Sequence, residues 1–513
     1  MSWRMIIFIT LMTMLVLSMA LQTQVVFDAA FWILFNIFAG MDILLGGWFF
    51  LPAFASWTLV GFVLGFLFYF GLRQSYRLQS TAYRTLALRC AWGFLVITCI
   101  LGVISAWRAS GSIFPAARPP VGPPAQPQRP AQPDAALQHA GIIGRVDWQK
   151  FFPHRENLIL NGITGVSEGK FALVGMVKPP IYSFMLDSTG KMVWEQAYTG
   201  ATSYQGRAIM RLPKGGFLIV GSAYPQDNSN EDGFAVRLNS AGQLVWIRSW
   251  GGKSRDGFNS LCLDPKKGFV LAGYSNTVEG LNRGWLLAVD DWGNTLGEQY
   301  FIRGNGCFNS VAATPEGGLI LGGTGTSSDT LEREMMVLMG TQFSVQGWVL
   351  KLSPEWNTQN EVFLGRNNGS AVQQIIPCRQ GGYACIGLTD NQRNSFFAKL
   401  DKTGSVQNVQ FYDSPGDLGG YGITELMDGR FLAVGITSQL GDSRGDGWLA
   451  SLDSTGLILR QQAFNPGGRD RFYAIQPLSE NEFVLAGSRT VPESGRLEGW
   501  VLKLTLTDKT DNP

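Results

Sequence analysis

The chain has 513 residues, a formal net charge of +2 and 45% hydrophobic side chains. Near-neutrality without a basic stripe speaks against a nucleic-acid partner, and six scattered cysteines speak against a disulfide framework. The length exceeds one ordinary domain, and composition changes near residue 140.

Residues 1–110 read as transmembrane helices. Apolar stretches run from Met5 to Val26, Ala29 to Leu51, Trp57 to Leu72 and Cys90 to Trp107, each near the length that spans hydrocarbon, which gives three or four spans. The first stretch also fits a secretory signal, because Arg4 precedes an apolar run ending in Ser18-Met19-Ala20. Asp42 is either an intramembrane carboxylate or an interfacial one beside Gly46-Gly47. Before the last span, Arg73, Arg77, Arg84 and Arg89 stand without an acid, so that loop is expected in the cytoplasm and the chain after Trp107 on the opposite side. The expected location is a bacterial inner membrane, with the rest of the protein periplasmic or extracellular and the lipid bilayer as one partner.

Residues 111–141 form a Pro-rich linker, with eight prolines between positions 114 and 133. Such composition favours extended polyproline structure and reads as a spacer or as a ligand for a proline-binding partner.

From residue 142 to 507 one pattern recurs. A large apolar residue is followed four positions later by glycine at Phe171/Gly175, Phe217/Gly221, Phe269/Gly273, Leu319/Gly323, Tyr383/Gly387, Phe431/Gly435 and Phe483/Gly487, at spacings of 46 to 64 residues. Repetition at that period marks a propeller or solenoid. The third copy predicts four strands: Asn259 to Leu263, Phe269 to Tyr274, Trp285 to Val289 and Leu296 to Ile302. An aromatic opens every third strand (Tyr182, Phe234, Trp285, Trp348, Phe396, Trp448, Trp500), where it suits packing between neighbouring blades. A turn follows with Asp or Asn three residues before glycine, as in Asp187/Gly190, and Ser353/Trp356 departs from that rule.

The last copy ends without a fourth strand, and Val146-Asp147-Trp148-Gln149-Lys150-Phe151-Phe152 resembles the fourth strands of the other copies. The expected fold is therefore an all-β seven-bladed propeller with an N-terminal α-helical transmembrane region. Segment 145–152 closes the ring and removes the sheet edges that invite aggregation, and 508–513 is a tail.

The segment from Leu186 to Glu195, and the wider Gly-Gly-Phe-x-x-x-Gly strand followed by Gly-Trp-x-x-x-x-Asp-x-x-Gly, resemble repeats of quinoprotein-type bacterial propellers and of outer-membrane assembly lipoproteins with that fold. The resemblance covers about residues 145 to 505 and implies fold more than activity, since such propellers include dehydrogenases, scaffolds and adhesins.

Only His139 and His154 occur, neither within the seven repeats, which speaks against a Ser-His-Asp hydrolase or a histidine-ligated metal centre. No Cys-Cys pair or unique acidic cluster supports a pyrroloquinoline quinone site, so no cofactor is expected unless the oxidoreductase alternative holds. Asn228-x-Asn230-x-Asp232-Gly233 and Asp442-x-Arg444-x-Asp446-Gly447 partly match calcium-loop spacing, with ordinary polar loops as the plainer reading. The fourth copy carries an insertion between Gly323 and Trp348, and its methionine-rich run with Met335, Met336 and Leu338 suits an adaptable contact with a protein partner or burial against its own blade. The favoured function is a protein-binding or scaffolding module of the cell envelope, ahead of a quinone-dependent oxidoreductase and a calcium- or glycan-dependent adhesin.

Overall fold

The computed structural model describes residues 143–153, 157–177, 181–198, 203–224, 230–276, 282–304, 306–326, 345–366, 369–391, 393–413, 416–440 and 444–507. The four apolar N-terminal stretches and the Pro-rich linker lie outside these residues. Among the described residues no helix is long and apolar enough to cross a membrane.

The described residues form 28 strands, arranged as seven four-stranded antiparallel units. The first strand of each unit is β2 (Ile159–Gly165), β6 (Ser203–Arg211), β10 (Asp256–Asp264), β14 (Cys307–Ala313), β18 (Ala371–Pro377), β22 (Leu418–Glu425) and β26 (Arg471–Pro477). Consecutive members of this set touch, and β26 touches β2, so the inner strands close a ring. That cyclic order makes the fold a β-propeller. Blades 1 and 2 are further joined into one sheet where Met176 pairs with Gln205.

The seventh blade is built from both ends of this region. β26 and β27 (Glu482–Thr490) are followed by β28 (Leu497–Leu506), and β1 (Gly144–Phe152) pairs antiparallel with β28 as the outermost strand. Phe151 lies opposite Trp500, and the Thr505 hydroxyl donates to Asp147 Oδ2 at 2.7 Å. Thr507 N–H donates to the Ile143 carbonyl at 3.2 Å where the other blades have a turn.

The core is seven layers, each sandwiched between neighbouring blades. One layer unites Val270, Ala272 and Leu286 of blade 3 with Phe308, Leu321 and Trp348 of blade 4, and another joins Val484 and Val501 of blade 7 to Leu160 and Phe184 of blade 1. Because both faces of a blade are covered, middle strands such as Arg283–Val289 and Asp446–Leu452 are buried at every position. This is why they read as nearly continuous apolar runs without strict alternation. The outer strands alternate instead, as in Met192–Tyr198.

Each repeat glycine pairs directly with the aromatic that opens the next strand, Gly273 with Trp285 and Gly435 with Trp448 among them. A Cβ at Gly273 would lie 1.9 Å from the Gly257 carbonyl oxygen, so no larger residue fits without displacing the inner strand. The ring beside it stacks on the inner strand's own aromatic: Phe258 on Trp285 at 4.3 Å, Phe308 on Trp348 at 4.8 Å.

A polar rule accompanies the rings. Trp285, Trp348 and Trp448 donate through Nε1 to Glu298, Glu361 and Gln461 at 2.9, 2.8 and 3.1 Å, and the Tyr182 hydroxyl donates to Glu195 at 2.7 Å. Where the ring is Phe234 or Phe396, the equivalent fourth-strand residue is Ile247 or Val409. In blades 1 to 6 a ring with a donor meets an acceptor, and one without meets a hydrocarbon, because a buried unmet donor costs about 1–3 kcal/mol.

Turns between third and fourth strands follow the expected chemistry. Asp187 Oδ1 accepts from the N–H groups of Thr189 and Lys191, while Gly190 takes φ 79°. Blade 4 builds the same turn from the residues that looked irregular: Ser353 Oγ accepts from Glu355 and Asn357 N–H, and Trp356 adopts φ 71°. The indole of Trp356 packs into the layer between blades 3 and 4, which compensates for a backbone conformation that ordinarily favours glycine.

Candidate functional site: the channel wall and the loop face

Every inner strand breaks its register with the second strand at one place. The shifts fall between Leu160 and Gly162, Gly206 and Ala208, Phe258 and Ser260, Phe308 and Ser310, Val372 and Gln374, Gly420 and Gly422, and Phe472 and Ala474. Each is a β-bulge, and the extra residue is left out of the ladder and re-aimed. The extra residues are Asn161, Arg207, Asn259, Asn309, Gln373, Tyr421 and Tyr473, all half-buried, and each stands fourteen positions before its repeat glycine. The glycine and the bulge are two sides of one feature, since the close carbonyl that forbids a Cβ belongs to the bulged strand.

Three of these residues fasten the ring. Asn161 Nδ2 donates to the Gly206 carbonyl at 3.0 Å, Asn259 Nδ2 to that of Phe308 at 2.9 Å, and Asn309 Nδ2 to that of Val372 at 2.9 Å. Each amide reaches the next blade just before the next bulge. The following residue adds a second tie in places: Ser260 Oγ accepts from Val311 N–H at 3.2 Å and Gln374 Oε1 from Ile423 N–H at 2.7 Å.

The remaining positions are employed differently. Arg207 donates to Gln205 Oε1 at 2.7 Å, and Tyr421 and Tyr473 bring their rings within 5.2 Å of each other. Arg471, two residues along the strand from Tyr473, donates to its hydroxyl at 3.3 Å and lies over its ring. Burial pushes the Tyr421 phenol above its ordinary value, partly offset by the Arg471 charge. The thiols are poor nucleophiles: burial pushes Cys262 and Cys385 up to about 12 and raises Cys307 as well.

The two rims differ. Turns between first and second strands, turns between third and fourth strands, and the two ends of the closing blade at Ile143 and Thr507 share one rim. The opposite rim carries the connections between second and third strands and those between blades, including the blade 4 insertion. On that loop rim, Glu231 is buried, accepting from Ser222 Oγ at 2.6 Å and from Arg255 Nε at 2.9 Å. Tyr274 beside it is pushed up to about 12 by burial and by the Glu231 charge.

Of the proposed calcium-loop residues, Asn228 and Asp442 lie outside the described residues. Asn230 Nδ2 donates to the Lys253 carbonyl at 2.6 Å, so it ties two loops together. Asp232 opens the third strand of blade 2, and its carboxylate and that of Asp256 from blade 3 both flank Gly251. Asp446 holds the equivalent position in blade 6, fully buried and paired in the ladder with Thr437. Among the described residues no group of three metal-ligating side chains occurs. Met335, Met336 and Leu338 lie outside the described residues.

Sequence reasoning passed over Arg207, Gln373, Tyr421, Arg471 and Tyr473. The available signal was the fixed offset from the repeat glycine, at which five of seven residues carry an amide or guanidinium group and the other two are tyrosines.

No protein-family model matches the chain, and no curated protein matches it. Among solved structures it is similar to the WD40 domain of Pan2 from Neurospora crassa, at 11% identity and TM-score 0.45, covering 72% of this chain and 100% of that one. A protein of unknown function from Dyadobacter fermentans gives 11% identity and TM-score 0.42 over 71% of this chain and 100% of that one. Drosophila Plexin A in complex with Semaphorin 1b gives 7% identity and TM-score 0.42 over 72% and 88%. None of these likenesses bears on activity.

Proposed function

We propose that the protein is a membrane-anchored, extracytoplasmic seven-bladed propeller that acts as a protein-binding or scaffolding module in the bacterial cell envelope. The observation that carries this reading is the asymmetry of the rims. One rim is made of short turns locked by Asp, Asn and Ser side chains and holds both ends of the closing blade. The other bears the long connections, which are free to vary without disturbing the blades. The N-terminal apolar stretches, the arginine-rich loop and the proline-rich linker support the anchor and the side of the membrane.

The test is affinity capture of the full-length protein from its own membrane, beside a variant with Met335, Met336 and Leu338 changed to Ser. A partner that co-purifies with the natural protein and is lost from the variant is the expected result. An unchanged set of partners would remove the blade 4 insertion from the reading.

The proximity of the Asp232 and Asp256 carboxylates favours a second reading, a calcium-dependent adhesin. Thermal stabilisation by calcium that is lost in Asp232→Asn would support it, and a melting temperature indifferent to calcium and chelator would dismiss it.

A further inference from the structure

The channel wall is divided between groups that hold the ring together and groups that hold nothing. Asn161, Asn259 and Asn309 spend their amides on the neighbouring blade. The equivalent residues of blades 5, 6 and 7 do not. Gln373 and the Tyr421 hydroxyl make no hydrogen bond among the described residues, where the Tyr473 hydroxyl accepts only from Arg471 of its own strand while its ring lies against Tyr421.

Charge follows the same division. The inner strands carry three acids, all at strand ends and all accepting backbone N–H groups: Asp256 from Gly252, Asp264 from Lys266 and Lys267, and Glu425 from Arg379. Between those ends the wall has Arg207 and no carboxylate, and Arg471 opens β26 directly after the buried Asp470, whose Oδ1 accepts from Thr490 N–H at 3.1 Å. Among the described residues both guanidinium groups bond only neutral oxygens. Asp417 of the loop rim acts on Arg471 and bonds Arg469 at 3.4 Å. Arg207 is the extra residue of the blade 2 bulge, half-buried on the innermost strand, and among the described residues its guanidinium bonds only Gln205 of that same strand.

We infer that the channel is a binding site for an acidic sugar, with the ring lying on Tyr421 and Tyr473, the hydroxyls meeting Gln373 and the Tyr421 hydroxyl, and the carboxylate held by Arg471 and Arg207. Tyrosine faces pack against the C–H faces of a sugar while their hydroxyls remain available, which is the amphipathic use of this side chain. Guanidinium groups suit a carboxylate because their donors match its two oxygens. Two guanidinium groups on the inner strands, beside acids already engaged by backbone N–H groups, leave an anion-attracting potential. This site stands independently of the protein-binding reading, since it uses the channel wall and not the loops.

The experiment is isothermal titration of the full-length protein in detergent with sodium glucuronate, glucose and inorganic phosphate. Saturable heat with glucuronate, weaker binding as salt is added, and no comparable heat with glucose are expected. Arg471→Gln and Arg207→Gln should each weaken glucuronate binding about tenfold or more, as expected for loss of a charge-assisted hydrogen bond. Tyr421→Phe, which keeps the ring and its packing, should weaken glucuronate and leave phosphate unaffected. Arg430→Gln, on the turn rim and paired with Asp428, should change neither. Melting curves accompany each variant, and a variant that melts like the natural protein yet binds glucuronate equally well overturns the assignment of its residue. Absence of saturable heat with millimolar glucuronate, or phosphate bound as tightly as glucuronate, overturns the proposal.

Discussion

The closing blade and the six covalently continuous blades share one register and differ in what secures the fourth strand. In blade 3 the chain turns through Asp290 to Gly293 and lays Thr295–Phe301 against its predecessor, and Trp285 donates to Glu298. In blade 7 the turn is absent, β1 comes from the opposite end of the region, and the residue equivalent to Glu298 is Gln149. Here Trp500 Nε1 is buried and has no acceptor among the described residues. The seam is fastened by other means: Lys503 lies between Glu482 at 2.6 Å and Asp147 at 3.8 Å, and Arg489 packs over Phe151 at 3.8 Å while paired with Glu498 at 2.7 Å. A strand brought in through space needs side-chain fasteners where a strand brought in by a turn is held by local geometry.

The sharpest way to break this comparison is to remove β1. A fragment from residue 157 onward exposes the β28 edge and uncovers Trp500, so it should self-associate and lose cooperative melting, whereas a fragment from residue 142 should melt in one transition. Light scattering and calorimetry read both.

The next effect treats both kinds of blade alike. Gly273→Ala and Gly487→Ala each push a Cβ to within 1.9 Å of an inner-strand carbonyl, and each should lower stability by about 1–3 kcal/mol in urea titration. A neutral result at either would mean that the bulge can relax.

Smaller and more discriminating is the ring donor. Trp285→Phe loses a bond to Glu298, while Trp500→Phe loses none, so the blade 3 change should be about 1 kcal/mol more costly. Equal costs would show that Gln149 meets Trp500 in solution.

A gain is expected at the junction of blades 3 and 4. Trp148, Trp246, Asn360 and Asn408 each donate from the fourth strand to a turn carbonyl of the next blade, but blade 3 has Gly297 there, with open space around it. Gly297→Asn should raise stability by about 0.5–1 kcal/mol, because glycine weakens a strand and the amide restores the clasp. An unchanged melting temperature would show that Gln299, which bonds the Trp356 carbonyl at 3.4 Å, already supplies it.

The turns add a pH dependence confined to the continuous blades. Hydrogen bonds from Thr189, from the Asn294 N–H and from Thr403 hold the Asp187, Asp290 and Asp401 carboxylates below the ordinary range. A folded-state value below the unfolded one means stability that is complete above about pH 4 and is lost as pH falls through the lowered values. Asp401→Asn should therefore flatten the acid limb of a urea-midpoint profile and leave its neutral plateau nearly unchanged.

The strands, their order within a blade and the turn chemistry were legible because they rest on neighbours in sequence. The third copy's strands at Asp256–Asp264, Gly268–Ser275, Arg283–Val289 and Thr295–Phe301 contain or closely match the predicted runs. The closing segment was legible because Val146 to Phe152 repeats a pattern shared by other fourth strands. The channel wall was less legible, since Arg207 and the exposed Arg211 lie on the same strand and only the offset of fourteen from Gly221 sets Arg207 apart. Ser353 and Trp356 looked like an exception for the opposite reason: the turn's backbone is common to all, and the layer that buries Trp356 is tertiary.

The sequence by itself determined the repeat, the glycine that each blade requires and the aromatic that faces it, because a missing Cβ and a large ring are properties a single position can carry. Only the tertiary structure decided which residues meet in the channel. Bulges on seven separate strands bring together side chains dozens of positions apart, and that convergence depends on the ring closing.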